Sequence, residues 1–195
     1  MDEIDDKINN QFEPYKGQCF DAIVNGGGGI KGLLNLGVLH YYYEKGELNM
    51  DHIKIYSGTS VGSVINLLLA TGYKPIEIFQ EIFKKDNLVD IEDCSDIFNI
   101  IKTMGLLPIG SLIDDVERLV ADKLGYVPTL LEFFELTEKI LIITATNVTQ
   151  TRCEYYTYKT APNLDCVSAV KMSCNLPPIC QRIKYKGDYI VDGAF

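Results

Sequence analysis

The chain has 195 residues, 47% hydrophobic and 23% charged, which is enough for one sizeable core and short for two domains. Its formal net charge of −9 argues against a nucleic-acid partner, which would want a basic face, and against simple electrostatic attraction to an anionic membrane. Six cysteines without C-x-x-C spacing and only two histidines make no zinc pattern, so no metal or cofactor is expected.

Residues 1–16 are polar and acid-rich, unlike a signal or transit peptide. They read as a flexible lead-in to one domain over residues 17–195. The longest uncharged runs, such as residues 61–73, stop well short of the roughly 20 residues that span a bilayer. An intracellular protein with reduced thiols is therefore expected, although a lipid surface can still be met through an apolar rim.

The run Asp21-Ala22-Ile23-Val24-Asn25 is strand-like and ends in Gly26-Gly27-Gly28-Gly29-Ile30-Lys31-Gly32. An apolar helix follows from Leu33 to about Lys45, closed by Gly46 as a C-cap. Consecutive glycines entering a helix leave backbone N–H groups uncovered, and the helix N-terminus adds partial positive charge. Such a cradle suits an anion, either a ligand phosphate or the oxyanion of acyl transfer. Gly27, Gly29 and Gly32 fit G-x-G-x-x-G, but Lys31 is not followed by the Ser or Thr of a phosphate loop.

Next, residues 53–57 read as a buried strand and residues 61–70 as an apolar helix, with Gly58-Thr59-Ser60-Val61-Gly62 between them. A serine at such a strand-to-helix turn has its hydroxyl pushed out at the top of a sheet. Glycines on both sides let strand and helix pass closely. Alone, the motif is as readily an ordinary turn. Pro75 opens an amphipathic helix to about Lys84, with Ile76, Ile78, Phe79, Ile82 and Phe83 largely on one face. Residues 86–108 mix acidic and apolar positions without a period, and fit either a lid over the site or a packed helical insertion. Ser111 reads as the N-cap of a helix that turns Leu112, Val116, Leu119 and Val120 inward.

Further on, the apolar strand 140–146 pairs with the strand 153–158 as a hairpin. Residues 165–173 look helical and are stopped by Pro177-Pro178. Tyr189-Ile190-Val191 is strand-like, with Asp192 at its carboxyl end and Gly193 turning the backbone away. This alternation argues for an α/β fold, a three-layer α/β/α sandwich with a mostly parallel central sheet.

A hydrolase triad in the order serine, acid, histidine needs a late histidine. His40 falls inside the first helix and His52 before the elbow strand. The inventory therefore permits a Ser-Asp dyad, with the carboxylate accepting the serine proton. Cys174 and Cys180 are further nucleophile candidates without other support.

Gly27-Gly28-Gly29-Ile30-Lys31-Gly32, Gly58-Thr59-Ser60-Val61-Gly62 and Asp192-Gly193-Ala194 resemble the three signature blocks of the patatin-like phospholipases, in the family's order. Ser173-Cys174-Asn175-Leu176-Pro177 and Thr144-Ala145-Thr146-Asn147 are also similar to stretches of that family. The resemblance implies that Ser60 is the nucleophile and Asp192 the proton acceptor. Gly27, Gly28 and Gly29, helped by Lys31 or adjacent amides, would form the oxyanion hole, with Gly32, Gly58, Gly62 and Gly193 as motif glycines. It also implies hydrolysis of acyl esters of phospholipids or other glycerolipids through an acyl-serine, with contact at a lipid interface. Patatin-like domains normally continue past the Asp-Gly block with further helices and strand, whereas this chain stops at Phe195. A trimmed or minimal domain is expected, with Asp192 close to a fraying terminus. Two rival readings remain: a catalytically inactive or truncated patatin-like module that binds lipid or a partner, and nucleotide binding at the glycine loop.

Overall fold

Short β-branched runs build the sheet of this chain, whose computed structural model describes residues 20–83, 109–176 and 183–195. The expected lead-in, residues 86–108, Lys84, Pro177-Pro178 and Cys180 lie outside the described residues. Strand β1 (Ala22–Asn25) pairs in parallel with β2 (Ile55–Thr59), and β2 in parallel with β3 (Ile140–Asn147). Register aligns Ile23 with Tyr56 and Leu141, and Asn25 with Gly58 and Ile143. All six are buried, as the two-residue period of a strand requires when one face is covered.

Helices connect the strands. The glycine loop tightens into a 3₁₀ turn (Gly29–Lys31) and then α1 (Gly32–Glu44), with Gly46 beyond its end at φ +70°. The elbow leads into α2 (Val61–Ala70), followed by α3 (Pro75–Phe83), α4 (Ile109–Leu124) and α5 (Leu130–Thr137). Helix α2 packs on β1, β2 and β3, and α6 (Cys166–Ser173) packs beside it on β3 and on β6 (Asp188–Asp192). Val64, Leu67 and Leu68 of α2 and Ala169 and Val170 of α6 are almost fully buried there. Each large aliphatic side chain so buried contributes about 1.5–3 kcal/mol.

The fold class is the expected α/β architecture, and the hairpin of β3 with β4 (Arg152–Tyr156) forms as read. Ser111 is a correction: α4 already runs from Ile109, so Ser111 lies inside the helix and does not cap it. Helix α5 and strand β5 (Ile183–Tyr185) were not foreseen. The signal for α5 stands in the sequence as Thr129-x-x-Glu132, a capping box. Thr129 Oγ1 accepts from the Glu132 amide at 3.2 Å, and the Thr129 amide donates to Glu132 Oε2 at 2.8 Å.

The course of β6 decides where the site forms. β2 takes residues 140–144 of β3, β4 takes 143–147, and β6, antiparallel, takes 145–147. A strand has two edges, so β6 must share an edge of β3 with β2. The pairings Thr59↔Thr144 and Ala145↔Asp192 are consecutive on β3. β2 and β6 therefore meet head to head at their carboxyl ends.

Candidate active site

Ser60 is the residue that follows β2 and caps α2, with φ 54° and ψ −130°. A non-glycine residue at positive φ costs of order 1–3 kcal/mol and persists only where its surroundings over-determine it. They do so here. The Ser60 amide donates to Ser173 Oγ at 2.8 Å, and Ser173 Oγ donates in turn to the Thr144 carbonyl at 2.6 Å. The Ser60 carbonyl accepts from the Ser63 amide at 2.8 Å and the Ser63 hydroxyl at 2.6 Å.

The flanking glycines answer a steric demand. A Cβ on Gly58 would lie 2.5 Å from the Gly62 carbonyl oxygen, and one on Gly62 would strike the carbonyls of Asn25 and Gly26. Neither backbone can retreat, because Asn66 of α2 ties both strands to the helix. Its Nδ2 donates to the Ser57 carbonyl at 2.5 Å and the Ile23 carbonyl at 3.4 Å, while its Oδ1 accepts from Asn25 Nδ2 at 2.7 Å.

Asp192 ends β6 and is fully buried. Its amide donates to the Asn175 carbonyl at 2.8 Å, and Oδ1 accepts from the Ala194 amide at 2.8 Å. Oδ2 is buried and has no hydrogen-bond partner among the described residues. The fraying expected of so late a residue is not what is found. Asn175 Nδ2 also holds the Ile190 carbonyl at 2.6 Å, and Thr146 Oγ1 donates to the Phe195 carbonyl at 2.9 Å. Gly193 passes under Thr144, where an added Cβ would meet the Thr144 carbonyl at 2.5 Å.

The glycine loop closes the third side. A Cβ built on Gly27 would lie 3.3 Å from Ser60 Cβ and 3.7 Å from Ala194 Cβ. Gly27 thus stands between the elbow and the Asp192-Gly193-Ala194 turn. Among the described residues, the amides of Gly27 and Gly28 donate to no protein acceptor. Gly29 opens the 3₁₀ turn at φ +54°. The Lys31 amide is already used, donating to the Gly28 carbonyl at 3.1 Å, and the Lys31 side chain is exposed. Gly32 starts α1 against Val61, whose Cγ1 is 2.9 Å from where its Cβ would stand. Free amides beside a serine hydroxyl and a buried carboxylate oxygen can stabilise a developing oxyanion.

The histidines stand apart from this cluster. His52 precedes β2, at the end opposite Ser60, and His40 lies about 12 Å along α1 from its first residue. Cys174 is buried at the end of α6. Burial pushes the thiol of Cys166, at the other end of that helix, up to about 12, which keeps it protonated and unreactive.

Ser173 and Asn175 have roles that composition did not announce. They sit where α6 ends, and hold the amides of Ser60 and Asp192 respectively. The sign in the sequence is two small polar residues following an apolar helix toward a proline pair. Replacing Ser173 with alanine removes the side-chain partner of the buried Ser60 amide and of the half-buried Thr144 carbonyl. Such losses cost about 1–3 kcal/mol each, so the urea midpoint of Ser173→Ala should fall clearly below that of the parent.

Comparisons with known proteins show the family and the fold. The family model for patatin-like phospholipase matches residues 23–195. The chain is 31% identical over 192 residues to a protein of Invertebrate iridescent virus 6 named "Probable lipid hydrolase 463L", covering 97% of this chain and 65% of that one. Among solved structures, VipD from Legionella pneumophila superposes with a TM-score of 0.56 at 19% identity, covering 89% of this chain and 45% of VipD. ExoU in its complex with SpcU from Pseudomonas aeruginosa gives a TM-score of 0.56 at 21% identity, covering 85% and 38%. The chain thus spans about two thirds of the viral relative and less than half of each bacterial protein.

Proposed function

The chain belongs to the patatin-like phospholipase family, and from that premise we propose that it hydrolyses acyl esters of phospholipids or other glycerolipids, with Ser60 as nucleophile and Asp192 as its base. The observation that carries this reading is the head-to-head meeting of β2 and β6 on one edge of β3. It brings a strained serine and a buried carboxylate oxygen with no partner among the described residues to the same end of the sheet.

In the first step Ser60 Oγ attacks the ester carbonyl while Asp192 Oδ2 accepts the serine proton. The oxygen of the tetrahedral intermediate takes hydrogen bonds from the amides of Gly27 and Gly28. Collapse breaks the ester C–O bond, and the proton on Asp192 passes to the departing alcohol, leaving an acyl-serine. Asp192 then removes a proton from water, which attacks the acyl-serine. Collapse releases the fatty acid and returns the proton to Ser60. The chemistry uses no further group. The family and its viral relative support a lipid ester as substrate.

The glycine loop supplies a test of the oxyanion step. Loss of one oxyanion donor typically costs about 2.7–4 kcal/mol of transition-state stabilisation. Gly28 touches little besides Lys31 Cβ, 3.6 Å from where its own Cβ would stand, so a valine there perturbs the loop more than the core. Gly28→Val is expected to lower kcat on a short-chain ester by about 10²-fold or more while KM changes little. Steady-state kinetics on the folded variant checks this, and a parental kcat would remove the loop from the mechanism.

A further inference from the structure

Helix α1 is apolar on every side, yet only part of it is covered. Leu36 faces the core at 1% exposure. On the opposite side Leu34, Val38, Tyr41 and Tyr42 are exposed by 69%, 55%, 57% and 42%. The spacing 34, 38, 41, 42 puts these four on one stripe of a helix. Its sole charged residue is Glu44, at the last position. A lysine stands at each end of the stripe. Lys31 precedes the helix with an exposed side chain, and Lys45 follows it with Nζ 5.6 Å from the centre of the Tyr41 ring. A surface helix of an ordinary soluble domain carries charge on its outer face. This one carries two aliphatic and two tyrosine side chains, and the only cations of the segment bracket them.

We infer that the outer face of α1 is the surface by which the protein docks on a phospholipid bilayer. Aliphatic side chains enter the acyl boundary, tyrosines rest at headgroup level with their hydroxyls in water, and the flanking lysines reach up to lipid phosphates. Lys31 and Lys45 supply cations at the two ends of the stripe for lipid phosphates, with exposed Glu44 and Glu47 beside Lys45, on a protein of net charge −9. A protein partner fits less well. Four partly exposed side chains on one helix fall well short of the about 800 Å² per partner that a stable protein interface buries. Position completes the argument. The glycine loop beside Ser60 runs directly into α1, so seating this face on lipid brings the membrane to the helix that begins at the site. The inference rests on the lipid-ester reading, but binding and hydrolysis are separable.

The test uses Ser60→Ala protein, so that hydrolysis does not alter the vesicles. Flotation is measured with phosphatidylcholine vesicles and with vesicles that also contain phosphatidylglycerol. Combined Leu34→Ser, Val38→Ser and Tyr41→Ser should lower partitioning by about tenfold or more, with Val38→Ser alone giving a smaller loss in the same direction. Lys45→Glu should weaken binding only to the vesicles containing phosphatidylglycerol. The stripe changes, placed in protein that retains Ser60, should keep the melting temperature and the turnover of a soluble short-chain ester. Equal flotation of parent and triple variant, or no flotation of the parent, would overturn the docking surface. So would a parent that sediments as a dimer and becomes monomeric in the triple variant, since a second copy would then be the occupant. Vesicle binding that depends on the stripe, in a protein that cleaves no ester, would leave the surface standing and reject the enzyme reading instead.

Discussion

Ser60→Ala is expected to lose ester hydrolysis by at least about 10³-fold while its melting temperature stays within the error of the parent. Among the described residues, the bonds that fix the elbow run through the amide and carbonyl of Ser60 and not through its hydroxyl. Alanine keeps both and meets the same backbone strain as serine. Any fall in rate therefore comes from the missing nucleophile and not from a rearranged turn. Thermal melting and product release on the same preparation test this, and appreciable turnover by the folded variant would reject Ser60.

Asp192→Asn should produce a loss of similar scale without a loss of stability. The carboxylate is fully buried, and its Oδ2 has no partner among the described residues. A buried, incompletely paired charge is a cost to the fold, and strain of this kind is retained where function uses it. Asparagine preserves size and can still accept the Ala194 amide through its oxygen. The variant is expected to be inactive and at least as stable in urea as the parent. If Asp192 were only a turn residue, the change would leave hydrolysis in place.

Much of the site was legible because each of its three blocks is a local device. Glycines beside Ser60 and the Gly27-Gly28-Gly29 run announce close backbone approach and uncovered amides within a few residues of sequence. Boundaries were local too: α2 occupies the residues read for it, and β2 ends two residues later than its apolar run because its ladder with β3 extends to Thr144.

What was not legible is mostly non-local. Nothing in Tyr189-Ile190-Val191 says that β6 runs antiparallel to β3, or that it continues the edge begun by β2. That choice follows from β4 already holding the other edge. Ser173 and Asn175 act on amides 113 and 17 residues away, a distance that no periodicity encodes. Asn66 lies in a helix read only as apolar, and its role in pinning two strands shows only in the structure. Helix α1 misled differently. Being apolar on all sides, it gave no inward face by pattern, and only the structure separates Leu36 from Leu34.

The most direct test of the dyad is reaction with a fluorophosphonate, followed by mapping of the labelled peptide, on the parent, Ser60→Ala and Asp192→Asn. Rapid labelling of the parent on the peptide carrying Ser60, none in Ser60→Ala and much slower labelling in Asp192→Asn is the expected result. Label on any other residue, no label on the folded parent, or an undiminished rate in Asp192→Asn would contradict a serine activated by that carboxylate.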